Sequence, residues 1–283
     1  MLRRRLLQIG LSMAVVVATA ACDVQVGEGG FSLDLAAGRA QDSWTRSYPL
    51  AQGGRLELIN VNGRIDAEPA SGSTVELVGQ RTARAGSDDA ARELLGKVEM
   101  REEVGERGVR VEVRAPRTFG VSNVEVRWTV KVPKGTIVDL RTINGRVALS
   151  GLDGEVHART VNGGVEGKRL AVAALDASTV NGGVDIELTA PLAGEGSVAL
   201  EAVNGGVSLA LPGDSRASVT ARVTNGGIRT TDLDLQLTGE QSRRRLEGTL
   251  NGGGTRVSLQ TTNGGVRLSK SGSGSAESAT DEK

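Results

Sequence analysis

Aromatic residues are almost missing from this chain: two tryptophans, two phenylalanines and one tyrosine in 283 residues. A compact globular core of ordinary thickness is hard to build from so few large rings, and single-stranded nucleic acid finds no stacking platform. There is one cysteine, Cys22, so no intrachain disulfide framework exists. There is one histidine, His157, and with a single cysteine this leaves no zinc or transition-metal ligand set and no cofactor signature. Net charge is missing as well, with 34 basic and 34 acidic residues. Without residues 1–21, which hold Arg3, Arg4 and Arg5 and no acids, 31 basic residues face 34 acidic ones. That balance gives no electrostatic footprint for nucleic acid.

What the chain does have is glycine, 40 of them, and a recurring phrase. Eight of the ten asparagines are followed directly by glycine. The phrase reads Thr142-Ile143-Asn144-Gly145-Arg146-Val147, Thr160-Val161-Asn162-Gly163-Gly164-Val165 and Thr179-Val180-Asn181-Gly182-Gly183-Val184. It returns at Asn204, Asn225 and Asn263, with an early copy at Asn62 and a degenerate one at Asn251. From Asn144 the intervals are 18, 19, 23, 21, 26 and 12 residues. Periods of roughly 20 residues belong to solenoids, and the final two intervals together approximate a double coil with an extra turn at Asn251.

Within each unit the positions six and four before the asparagine are apolar: Leu56 and Leu58, Val138 and Leu140, Leu175 and Ala177, Val198 and Leu200. Polar residues stand between them, so each run is a strand with one buried face. The third residue after the asparagine starts a second alternating strand, as in Val184-Asp185-Ile186-Glu187-Leu188. Two architectures fit a strand, Asn-Gly corner, strand unit. One is a meander of hairpins, for which Asn-Gly is a strong signal. The other is an all-β solenoid, β-helix-like, with an asparagine ladder at its corners Asn62, Asn144, Asn162, Asn181, Asn204, Asn225 and Asn263. The third corner residue, glycine at 164, 183, 206, 227 and 265, favours the solenoid, because a hairpin strand gains nothing from glycine there. Gly183 and its equivalents are then expected to take positive φ. Inward residues such as Val184, Ile186, Val207 and Leu209 are expected to meet their counterparts in adjacent coils.

The ends of the chain read as an address, a tether and a tail. Arg3 to Arg5 precede the apolar stretch Leu6–Val17, too short for a permanent span, and small residues lead into Cys22. Thr19-Ala20-Ala21-Cys22 is similar to a bacterial lipoprotein signal, which implies a lipidated Cys22 and a membrane partner, although Thr19 stands where leucine is usual. An ordinary signal peptide cut nearby is the alternative. Residues 22–45 are expected to be a flexible tether, 46–270 the solenoid domain, and 271–283 a disordered tail.

Between Asn62 and Asn144 the repeat is interrupted, and residues 68–136 read as a sheet-plus-helix insertion closing one end of the stack. A helix is expected from cap Ser87 through Asp88 and Asp89 to Gly96, with Ala91, Leu94 and Leu95 on one face. Strands are expected at 74–81, 98–103, 108–114 and 123–132, with Trp128 in the core.

No catalytic constellation stands out. His157 is on an outward position, which favours a solvated side chain over a base. Asp185 with Glu187 and Asp232 with Asp234 are outward pairs, and with Ser208, Ala210, Arg229 and Thr231 as expected neighbours they form no stacked acidic cluster. The run Arg243-Arg244-Arg245 reads as a solvated loop.

The Thr-Val-Asn-Gly-Gly-Val phrase at 160–165 and 179–184, with Leu56–Ile65 and Val138–Gly145, resembles the bacterial putative-adhesin β-strand-repeat proteins across about 50–270. The resemblance implies an exported, envelope-associated β-helix-like domain, an adhesive role, and no catalytic residues. Three functions remain open: a non-enzymatic, lipid-anchored envelope protein presenting a β surface to a protein or glycan partner; an envelope stress or signalling accessory touching a membrane partner; and a degenerate carbohydrate-active β-helix.

Overall fold

The computed structural model describes residues 38–116, 123–238 and 241–272. The expected signal peptide, Cys22, residues 23–37 of the expected tether and residues 273–283 of the expected tail lie outside the described residues. In chain order, β1 (Gly38–Pro49) precedes the first repeat unit, β2 (Arg55–Ile59) and β3 (Ile65–Pro69) around Asn62. Then come β4 (Thr74–Ala85), α1 (Asp88–Gly96), β5 (Glu99–Gly105), β6 (Gly108–Arg114) and β7 (Val124–Val132). The repeats follow as β8 (Ile137–Arg141) and β9 (Val147–Ser150), β10 (Val156–Asn162) and β11 (Val165–Leu170), and β12 (Ala174–Asn181) and β13 (Val184–Leu188). After them come β14 (Ser197–Asn204) and β15 (Val207–Leu211), then β16 (Ala217–Asn225) and β17 (Ile228–Thr231). The chain ends with β18 (Leu235–Leu237), β19 (Arg245–Leu250), β20 (Thr255–Asn263) and β21 (Val266–Lys270).

These strands form two long sheets that face each other across a thin aliphatic core, an all-β, solenoid-like stack. One sheet runs β1-β4-β7-β3-β9-β11-β13-β15-β21-β17 and the other β18-β19-β16-β20-β14-β12-β10-β8-β2-β6-β5. Coil stacks on coil in parallel register: Val184 lies opposite Val207 and Ile186 opposite Leu209. The alternation in sequence is the alternation of burial. Leu56, Leu58, Leu140, Val156, Ala158, Ala177 and Ile186 are all at most 1% exposed. A slot this thin is filled by Val, Leu, Ile and Ala, which explains the missing aromatics.

Coil order in space is not coil order in sequence. β20 is inserted between β14 and β16, so Val207 is opposite Val266 and not Ile228. The irregular interval after Asn225 is therefore an excursion to the far pole through β18 and β19 and a return into the stack. Asn251 is no corner: it is a left-handed turn residue (φ 47°) whose amide holds the Gly213 and Ser215 carbonyls.

The insertion 68–136 is corrected in the same sense. Part of it caps the pole, as expected, but β6 and β7 pair in parallel with β2 and β3 and make a further coil without an Asn-Gly corner. The expected helix forms, with Ser87 Oγ accepting from the Ala90 amide and Ala91 and Leu95 buried. The tether ends earlier than expected, because residues 38–45 already belong to β1. Pairing with β4 holds them: Trp44 sits opposite Gly79 and meets the buried Trp128 edge-on at 5.5 Å, while Asp42 pairs with Arg81. The two sheets are tied at this pole by Glu102 of β5, which accepts from the Tyr48 hydroxyl and pairs with Arg46 of β1.

The corner glycines also differ from expectation. Positive φ belongs to the glycine directly after the asparagine at five of the seven corners, Gly63, Gly163 (145°), Gly182 (154°), Gly205 and Gly226, and not to Gly183 or its equivalents. A Cβ on Gly182 would lie 2.1 Å from the Gly163 carbonyl oxygen of the neighbouring coil, whereas one on Gly183 meets Gly206 O at an ordinary 3.4 Å. Close stacking, not the width of the bend, demands the first glycine. Accordingly Gly182→Ala should lower stability by about 1–3 kcal/mol, whereas Gly183→Ala should stay within about 0.5 kcal/mol. Chemical-denaturation midpoints check this; equal losses at both positions would contradict it.

Candidate functional site: the asparagine corner and the outward rows

Each unit brings its asparagine to the same edge of the stack, and the side chains join. Asn144 Nδ2 donates to Asn62 Oδ1 at 2.7 Å, Asn162 to Asn144 at 2.7 Å, and Asn181 to Asn162 at 2.8 Å. Asn204 donates to Asn181 at 2.9 Å, Asn263 to Asn204 at 2.8 Å, and Asn225 to Asn263 at 2.8 Å. All seven predicted corner residues are in this one ladder. Its polarity is fixed at the pole, where Asn62 Nδ2 donates to the Val124 carbonyl, so every amide above it points the same way. Aligned amides polarise one another, which strengthens the row beyond its separate bonds.

The threonine of the phrase has its own task, one the sequence did not disclose. Thr160, Thr179 and Thr261 are buried and donate to the carbonyls of Gly145, Gly163 and Gly205 at 2.7–2.8 Å. They satisfy the carbonyl that the tight corner turns inward. Asn60 does this in the first unit, through Nδ2 to the Gly63 and Val126 carbonyls. Ala202 and Val223 replace the threonine in two units, so the bond is useful and not obligatory.

The outward sheet faces carry charges that are mostly paired. Asp139, only 4% exposed, is gripped by Arg141 (2.8 Å) and Arg55 (3.1 Å). Burial pushes its carboxyl up, but the two guanidinium groups outweigh that and hold it below the usual carboxylate range. His157 lies outward as expected, but not bare: Nε2 is 2.7 Å from Glu155 and Nδ1 3.9 Å from Asp176. The acidic pair at 185 and 187 needs a correction. Glu166 is in register beside Asp185, so three carboxylates do neighbour one another, and Arg267, not Arg229, lies beyond Ser208. Desolvation first, then the Glu166 charge, raises the Asp185 carboxyl above its ordinary value, against Lys168 and Arg267. Glu166 itself is tied to Arg146 at 3.0 Å and Lys168 at 3.1 Å. Adjacency of coils brings these groups together, and intervals read along the sequence do not report it. Among the described residues, no group of three or more His, Cys, Asp or Glu could hold a metal ion, and no helix is long and apolar enough to cross a membrane.

The geometry defines a repetitive β-stack with an amide-lined corner and paired charges on flat faces. The chain belongs to the Toastrack DUF4097 family, whose model matches residues 120–269. Among solved structures it is similar to a putative cell adhesion protein from Clostridium sporogenes ATCC 15579, at 13% identity and TM-score 0.50, covering 81% of this chain and 99% of that one. It also matches a putative adhesin from Bacteroides fragilis NCTC 9343 at 10% identity and TM-score 0.36, covering 81% and 96%. At such identities the first likeness shows the fold alone. No curated protein matches the chain.

Two outcomes follow from the site. Removing an interior rung with Asn181→Ala breaks two ladder bonds and should cost about 2 kcal/mol, while the terminal Asn225→Ala breaks one and should cost about 1 kcal/mol. Equal midpoint shifts for the two would contradict the ladder. The second concerns acid. A depressed folded pKa contributes stability above the unfolded value, near 3.9 for an aspartate, and loses it as pH falls through the folded pKa. Asp139→Asn should therefore cost about 1–3 kcal/mol at pH 7 and progressively less below about pH 4. A pH-independent loss would show that the charge plays no part.

Proposed function

We propose that this chain is a non-enzymatic, lipid-anchored protein of the cell envelope that presents its repetitive β surface to a partner, in an adhesin-like role. The observation that carries the reading is the repetition itself: the same outward position recurs at every coil, about 4.8 Å from the last. A surface of this kind offers many weak, equivalent contacts along one axis. It offers little to a reaction that needs several unlike groups around one atom. The acidic trio does not change this, since Arg146 and Lys168 already neutralise Glu166. The name of the similar Clostridium structure, a putative cell adhesion protein, agrees with this reading. The basic and apolar start of the chain, ending in small residues before Cys22, supports export and lipidation of that cysteine.

Radiolabelled fatty acid should enter the natural protein and not Cys22→Ala, and a photo-crosslinker at outward position 199 should capture a partner in intact envelopes. Equal labelling of both proteins overturns the anchor. A clean absence of adducts from outward positions overturns the presenting surface.

A further inference from the structure

The corner carries a feature the fold does not require. The residue before each asparagine points outward, and in four adjacent coils it is a large aliphatic: Ile143, Val161, Val180 and Val203, each 36–39% exposed. They form a registered apolar row, an unusual thing to leave in water on a chain that otherwise alternates so strictly. Beside it runs the amide ladder. Asn162, Asn181 and Asn204 each spend one N–H and one lone pair on their ladder neighbours, and the amide inventory gives each a second N–H and a second lone pair. On the far side lie Gly183, Gly206 and Gly265, where a Cβ would have ordinary room at 3.4 Å. Arg64 and Arg146 hold the equivalent position in earlier coils, so the backbone tolerates a side chain.

Resting on the surface-presenting role proposed above, we infer that this strip binds a neutral, extended, equatorially linked polysaccharide laid along the stack axis. Charge is the first argument. From the Asn162 unit through the Asn225 unit, the residue before each asparagine, the asparagine and the two glycines after it are all uncharged. An anionic polymer or nucleic acid would gain nothing here. Area is the second. Four coil spacings span only about 19 Å, and the strip is one corner wide, far below the roughly 800 Å² per partner of a stable protein interface. A single thin chain fits where a folded partner or a second copy does not. Period is the third. An extended peptide repeats every two residues, about 6.6 Å, and falls out of step with a coil rise of about 4.8 Å. A pyranose linked across its ring advances by about one coil, and sets its apolar face on the valine row and its hydroxyls on the spare amide groups.

The test uses the full chain in detergent. It should co-sediment with cellulose or chitin and bind a soluble β-1,4-linked hexasaccharide more tightly than the disaccharide, as contacts accumulate along the row. Gly183→Arg combined with Gly206→Arg should weaken binding at least tenfold with an unchanged denaturation midpoint. Should that pair lose stability, Val180→Glu, at an already exposed position, should show the same loss of binding. Failure of the natural protein to bind either glycan, preference for alginate or for an extended peptide, or unaltered binding by a folded variant overturns the inference. Partner capture in envelopes with no glycan binding would sink the ligand class and leave the presenting surface standing.

Discussion

Everything in this fold depends on how closely one coil can approach the next at its corner. The spacing is set by backbone bonds such as Gly182 N–H to the Asn204 carbonyl at 2.9 Å, and it leaves no room for a Cβ on the first corner glycine. At that separation the asparagine amides fall within reach of one another, and the threonine hydroxyl meets the carbonyl one coil below. Glycine permits the approach; asparagine and threonine then satisfy the polar groups that it brings together. The aliphatic core follows from the same register, because a stack in step places aliphatic over aliphatic, Val184 over Val207 and Ile186 over Leu209.

A stack of this kind has two open ends, and the chain treats both by leaving the repeat. At one pole β1, β4 and α1 cover one sheet edge, β5 presents charged residues along the other, and Glu102 joins the two. At the other, β18 and β19 extend one sheet, with Leu233 and Leu235 packed against the core. The price is a threaded order: β6 and β7 lie beyond the first unit, and β20 and β21 must enter between strands laid down before them. Contacts of such sequence separation are slow to form.

Much of this is written in the chain and some is not. Strand, corner and inward face were readable because period-two burial leaves a period-two sequence, and the helix because Ser87, Asp88 and Asp89 mark a start. The threaded coils were not, since an inserted strand carries the same phrase as its neighbours and nothing in Asn263 says that it sits between Asn204 and Asn225. The different roles of Gly182 and Gly183 are hidden for a related reason: two adjacent glycines look alike until the neighbouring carbonyl is in place. Glu166 beside Asp185 was missed because adjacency across coils skips about 19 residues. The exposed Ile143–Val203 row, visible in the phrase from the start, acquires meaning only when the coils are in register.

The proposed presenting role rests on a repeated, amide-edged corner and two faces of paired charge. The central claim beneath that reading is that neighbouring rungs act together, and a double-mutant cycle measures it directly. Asn162→Ala and Asn181→Ala share a bond and should couple by about 0.5–1.5 kcal/mol, while Asn144→Ala and Asn263→Ala, with three rungs between them, should add independently. Additive losses for the adjacent pair would show seven separate asparagines in a row, not a ladder.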